Sequence, residues 1–395
     1  MSSHSSLSLL FEEINEIESI YHIINKQLIS AYTIPELKEL IEAIRAKVTE
    51  SIKALEWIKQ VAIKALEIFL QQKNKKVYKN LYTQIIRNLH TVKYRAMVLS
   101  SLTNTIDLYA YLTHNDEYKA PLIALRKTIN SAKERLKSSS LGFNLYVLVE
   151  YAYSVVDILK EYNIMVLYIP SYDLFKPWKW VLLLHELGHI LFDAKRDVFV
   201  REFREKIVPL LKQLTPTSIS KEQSDAILSL WERYWLEEFM SDLYGIALGS
   251  LAYTYAFMIE VFVGNPSEHG GTHPSLDSRI YLQLKYLENI KEVKELTDNV
   301  RKSWFSHREN IDATELGYPF PSKALDKLSE VFTDIIKKPA FLNYIDSVIE
   351  LRERIDKGEY VKADPLCLVL ALALSKRGKT EEVQRKVVNA IAGDQ

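Results

Sequence analysis

The sequence predicts a mainly α fold with a small β element, and three observations carry that prediction. Apolar residues recur at spacings of three and four along most of the chain, the seam of amphipathic helices. The clearest strand candidate is a single short β-prone run, Ile164 to Ile169, closed by Pro170. With 395 residues and an apolar fraction of 48%, the chain can bury a sizeable core and has room for two or three subdomains.

Taken in order, Leu10, Ile14, Ile17, Tyr21, Ile24 and Leu28 form the seam of a first long helix, with Ser5 or Ser6 as its cap. Pro35 opens a second, whose stripe runs Leu37, Ile41, Ile44, Val48, Ile52, Leu55 and Ile58 towards Leu70. The polar stretch Gln71 to Lys76 breaks the pattern. A third helix then passes from Val77 through Leu81, Ile85, Leu89 and Leu102 to Leu112. Residues 1–115 therefore read as an N-terminal long-helix bundle or coiled-coil region. Asp116 to Leu136 reads as a helix stopped by Ser138, Ser139, Ser140 and Gly142, and Asn144 to Tyr162 as another. After the Ile164–Ile169 strand, Pro177 opens a helix anchored by Trp178 and Trp180, ending near Asp193 or Ala194. A helix over Asp197 to Leu214 breaks at Thr215-Pro216-Thr217, and Ser220 with Gln223 resembles a capping box for the next. That helix runs through Trp231 and Trp235 towards Val263, with a kink at Gly245 or Gly249. Further helices cover Leu282 to Ile290, Ser322 to Ile336, Ala340 to Ile355 and the apolar run Leu366 to Leu374, while Trp304, His307 and Tyr318 to Pro321 mark a connection. Residues 116–292 form a central core and 293–395 a C-terminal helical region.

Composition removes several classes of function. Lys plus Arg equals Asp plus Glu at 51 each, so no basic field attracts nucleic acid. The cluster Lys73, Lys75, Lys76 and Lys79 is a solvated helix junction by this reading. A single cysteine, Cys367, excludes an internal disulfide and any cysteine-based metal cluster, and fits a reducing compartment. Met1 to Leu10 lacks the features of a secretory signal, and no apolar run approaches the roughly 20 residues a membrane span needs. A cytoplasmic protein without a membrane span is expected. The chain carries no phosphate-binding glycine loop, no serine nucleophile elbow and no internal repeat. His22, His90 and His114 lack a second ligand-type residue at helical spacing and read as ordinary histidines.

The chemistry gathers in three segments. In Val181 to Phe192, His185 and His189 lie one helical turn apart in an otherwise apolar run that holds one carboxylate, Glu186. Two imidazoles at that spacing bind one zinc ion, leaving Glu186 beside it as general base and then acid for a hydrolytic water. Gly188 leaves room for close approach. A third ligand is needed, and no further histidine follows at the spacing that would supply it, since Phe192 and Lys195 stand there. Downstream, Glu238 and Asp242 lie four apart, so that on a helix the first can bind metal while the second holds a ligand histidine. The third segment, Gly270-Gly271-Thr272-His273-Pro274-Ser275 with Arg279-Ile280, places an imidazole at a loop tip before a helix, where it can donate to an oxyanion. His269 is the weaker candidate there. The strand before the metal-binding helix suits an edge that pairs with an extended substrate.

The first two segments together resemble the gluzincins, the thermolysin-like zinc peptidases, over about a quarter of the chain. That resemblance implies a zincin-like core across residues 116–292, with Zn²⁺ on His185, His189 and Glu238, Asp242 as the partner of a ligand histidine, and Glu237 disfavoured by spacing. The interval of 49 residues from His189 to Glu238 is longer than in thermolysin and implies an inserted helix. The third segment is similar to one in peptidases related to the CAAX prenyl protease and HtpX. There the resemblance implies that His273 stabilises the oxyanion and that Arg279 braces the site through an acidic partner. Those relatives are membrane-embedded, unlike this reading. The expectation is a zinc metallopeptidase acting on a peptide or protein substrate. The alternatives are a helical interaction protein with a structural or vestigial metal, or a narrow-specificity regulatory peptidase resembling the ImmA-like family, which the long interval fits less well.

Overall fold

The structure, a computed structural model, describes residues 3–31, 34–71, 75–136, 142–214, 220–260, 272–288, 290–305, 322–336 and 339–393. Its helices before the sheet are α1 (Ser3–Ala31), α2 (Lys38–Leu70), α3 (Lys75–Thr113) and α4 (Asp116–Arg135). Three short strands follow, β1 (Asn144–Glu150), β2 (Ser154–Val156) and β3 (Ile164–Pro170). Then come α5 (Leu183–Ala194), α6 (Arg196–Glu202), α7 (Val208–Leu214), α8 (Lys221–Leu230), α9 (Leu236–Glu260) and α10 (Leu276–Glu288). The chain closes with α11 (Lys294–Phe305), α12 (Ser322–Ile336), α13 (Ile345–Lys357), α14 (Pro365–Leu374) and α15 (Glu381–Ala392). The fold is mainly α with a small three-stranded sheet, as the apolar spacing predicts.

The chain divides into two compact units, one of Met1–Lys119, Gly142–Glu150 and Val156–Val166, the other of Ala120–Leu141, Tyr151–Val155 and Leu167–Gln395. In the first, α1, α2 and α3 pack into a bundle, and the α1 seam from Leu10 to Leu28 is buried throughout. Tyr21, fully buried, donates to the Val92 carbonyl at 2.9 Å, which settles its hydroxyl inside the bundle. The second unit contains every helix that bears the candidate site, and residues 293–395 belong to it without a further division.

Five expectations need correction. Ser5 and Ser6 lie inside α1 and do not cap it. Asn144 to Tyr162 is not a helix but forms β1, β2 and a 3-10 turn over Lys160–Tyr162. The apolar run Leu145 to Val149 suits either period, and pairing with β3 decides for the strand, where β-branched and aromatic side chains pack well. The strand order is β1-β3-β2, so β3 is central and all seven of its residues are buried. A central strand has neighbours on both sides, and β3 therefore offers no edge for a substrate. The kink in α9 falls at Ser250 (φ 54°, ψ −149°), not at either glycine. Trp304 lies in a helix, α11, where its Nε1 donates to Asp277 at 2.9 Å. Helix α15 has no counterpart among the expected elements. The Ser138–Ser140 stop, the Thr215-Pro216-Thr217 break, Val263, His269, Gly270, Gly271, His307 and the Tyr318–Pro321 connection lie outside the described residues. Among the described residues, no helix is long and apolar enough to cross a membrane.

Candidate metal centre

The site rests on two helices that approach closely. A 3-10 turn over Pro177–Leu182 leads into α5, with Trp180 fully buried and its Nε1 bonded to the Asp173 carbonyl at 3.1 Å. Six leucine, isoleucine and phenylalanine side chains of α5 are buried, which leaves its histidines on the one face that is not lipophilic. Gly188 permits the crossing with α9, because a Cβ there would stand 2.5 Å from the Ser241 carbonyl oxygen and 2.6 Å from its Cα. Backbone cannot yield as a flexible side chain can, so the glycine is needed for this contact.

At the crossing His185, His189 and Glu238 offer ligand atoms that all lie within 4.8 Å of one another. His185 Nε2 and His189 Nε2 are 3.1 Å apart. Glu238 places Oε2 3.5 Å from His185 Nε2 and Oε1 3.8 Å from His189 Nε2. Tetrahedral zinc with bonds of about 2.0–2.1 Å sets neighbouring ligand atoms roughly 3.3 Å apart. The spacings fit one ion, and so does the donor set of two imidazoles and a carboxylate. Among the described residues Glu238 Oε2 is buried with only the longer contacts to His185 Nε2 at 3.5 Å and Arg279 Nη1 at 3.3 Å.

The second nitrogen of each ring is held by a carboxylate. His185 Nδ1 lies 3.0 Å from Asp242 Oδ1 and His189 Nδ1 lies 3.1 Å from Glu237 Oε1. Such partners turn the Nε2 lone pairs towards a common point. Asp242 is fully buried and accepts two bonds from Arg279, from Nε to Oδ2 at 2.7 Å and from Nη2 to Oδ1 at 2.8 Å. Arg279 Nη1 also reaches 3.3 Å from Glu238 Oε2, and its guanidinium stacks 4.6 Å from the Phe257 ring centre. Glu237 is bonded in turn by Arg196 Nη2 at 2.7 Å.

These contacts govern ionisation. Burial disfavours a charged His185, but hydrogen bonds to Asp242 and Glu238 and the Asp242 charge outweigh it, raising its pKa to about 10. Burial works against ionised Glu238 as well, yet the His185 bond and the Arg279 charge pull it down to about 2. Asp242 is held well below the usual carboxylate range, since Arg279 more than offsets its burial.

His273 is exposed on the margin of the site, with Nε2 3.5 Å from Glu238 Oε1 and Nδ1 3.0 Å from Thr272 Oγ1. It falls outside the three-residue group of mutually close ligand atoms. Glu186 follows His185 on α5, is 8% exposed, and makes no hydrogen bond or ion pair among the described residues. The seven candidate site residues His185, Glu186, His189, Glu238, Asp242, His273 and Arg279 thus lie on the two crossing helices or on the segment from His273 to Arg279. Sequence reasoning missed the roles of Glu237 and Arg196 at His189, and of Tyr253, whose hydroxyl donates to Asp242 Oδ1 at 2.6 Å. The signal for Glu237 was its place beside Glu238. None pointed to Tyr253. Comparisons with protein-family models, with curated proteins and with solved structures found no match.

Proposed function

We propose that the chain is a zinc-dependent peptidase of gluzincin type, with His185, His189 and Glu238 holding the ion. The observation that carries this reading is the convergence of two Nε2 atoms and one carboxylate, each imidazole backed by its own carboxylate, with Glu186 next to His185 on α5 and without a hydrogen bond or ion pair among the described residues. Zinc, when bound, supplies Lewis acidity that lowers the pKa of water and polarises a carbonyl. Glu186 takes the proton of the attacking water and returns it to the leaving amine. His273, exposed and next to Glu238, donates from Nε2 to the oxyanion of the substrate. Arg279 holds Asp242 and balances the negative charge gathered around the ligands. The substrate class is a peptide or protein, and the reaction releases an amine and a carboxylate.

Glu186→Gln is the direct test. It should retain about one zinc per chain by metal analysis while cleavage of a fluorogenic peptide library falls by at least about 10²-fold. Retained turnover would remove Glu186 from the mechanism. A second reading, a helical interaction protein with a structural metal or none, draws on Arg279. A guanidinium 3.3 Å from Glu238 Oε2 already supplies that ligand with a cation. It predicts either no zinc or zinc without cleavage in the unaltered chain.

A further inference from the structure

We infer that Tyr253 is a positioning residue, and that the kink at Ser250 with Gly245 and Gly249 exists to bring its hydroxyl to Asp242 and so to set His185. The inference rests on the proposed metal-binding role of His185. It begins from a distance that an unbroken helix forbids. Residues 242 and 253 on a straight α-helix would stand about 16 Å apart along the axis. Here the Tyr253 hydroxyl is 2.6 Å from Asp242 Oδ1 and 3.4 Å from His185 Nδ1. Ser250, at φ 54° and ψ −149°, turns the last part of α9 back on the first.

Two glycines make room for the returning ring. A Cβ on Gly245 would lie 2.9 Å from both Cε2 and Cζ of Tyr253. One on Gly249 would lie 2.9 Å from Tyr253 Cβ and 2.8 Å from Leu184 Cδ1 of α5. The ring is fully buried and lies against Phe257, which in turn sits under Arg279.

The consequence lies in how Asp242 is used. Arg279 occupies Oδ2 and shares Oδ1, and Tyr253 adds a second donor to Oδ1, the oxygen that faces His185 Nδ1. With donors on both sides, the carboxylate cannot swing away from the imidazole, and the His185 ring stays aimed with Nε2 at the shared point. Hydrogen-bonded partners one step beyond a ligand commonly change metal affinity by about 10- to 100-fold. A tyrosine that merely fills space would hold the ring without needing the hydroxyl.

Tyr253→Phe keeps the ring and removes only the hydroxyl, and Tyr344→Phe serves as control. The Tyr344 hydroxyl also bonds to α9, at the Leu248 carbonyl, but touches no candidate ligand. In the full chain, zinc affinity measured by chelator competition should fall about 10-fold or more in Tyr253→Phe and stay near the unaltered value in Tyr344→Phe. In the zinc-free protein, the NMR signal of the His185 Nδ1 proton should lose its protection from solvent exchange only in Tyr253→Phe. Unchanged affinity together with an unchanged proton signal overturns the inference, as does an equal loss in both variants. If the unaltered chain binds no zinc, the metal reading fails, and the proton signal alone still decides whether Tyr253 positions His185.

Discussion

Each motif histidine presents one nitrogen to the shared point and gives the other to an acid, His185 to Asp242 and His189 to Glu237. The two acids differ in setting. Asp242 is fully buried between Arg279 and Tyr253, whereas Glu237 is about a quarter exposed and pairs with an Arg196 that is 40% exposed. An exposed ion pair of that kind contributes little to stability by itself, so the main role left to Glu237 is to orient His189. Glu237→Ala should therefore weaken zinc binding by about 10- to 100-fold while leaving the unfolding midpoint of the zinc-free protein almost unchanged. Chelator competition and urea denaturation measure the two quantities, and a large fall in stability without a change in affinity would return Glu237 to a purely structural role.

Helix periodicity explains which parts of this site could be read from the amino-acid order. His185 with His189, and Glu238 with Asp242, are i, i+4 pairs, and such pairs meet on any α-helix whatever the rest of the molecule does. Gly188 was legible as the small residue between the two histidines, and the α9 backbone passes against it at Ser241. What escaped depends on contacts that periodicity does not encode. The strand state of residues 144–150 is decided by pairing with β3, and Tyr253 reaches Asp242 only because Ser250 adopts a backbone conformation favoured by glycine. The α5–α9 crossing can be tested at its narrowest point. Gly188→Ala puts a methyl group within 2.6 Å of Ser241 backbone atoms, so the helices must separate. A loss of about 1–3 kcal/mol in urea unfolding is expected from such overpacking, together with weakened zinc binding as His185 and Glu238 move apart. Unaltered stability and affinity would mean that the crossing is looser than these distances imply.

For the whole molecule, formal charge balances at +0 with histidine neutral, yet the second unit concentrates buried ionised groups at one place. Folding stability should carry their signature in pH. Glu238 falls from 4.5 unfolded to about 2 folded, so its contribution is complete above pH 4.5 and is lost as pH drops towards 2. Asp242 and Asp364 shift in the same direction and add to the acid-side loss. His185 shifts the other way, from 6.5 to about 10, so its contribution is complete below pH 6.5 and declines as pH rises towards 10. Zinc-free protein should consequently be most stable between these limits and lose stability on the alkaline side well before lysines titrate. On the proposed metal reading, zinc would require the unprotonated imidazole and take the place of the His185 proton, which should remove the alkaline decline and leave the acid limb. Urea midpoints collected across pH with and without saturating zinc test both statements. A zinc-free midpoint that stays flat between about pH 6 and pH 10 would break the coupling of His185 to Asp242 and Glu238. A decline unaffected by zinc would separate that coupling from metal binding.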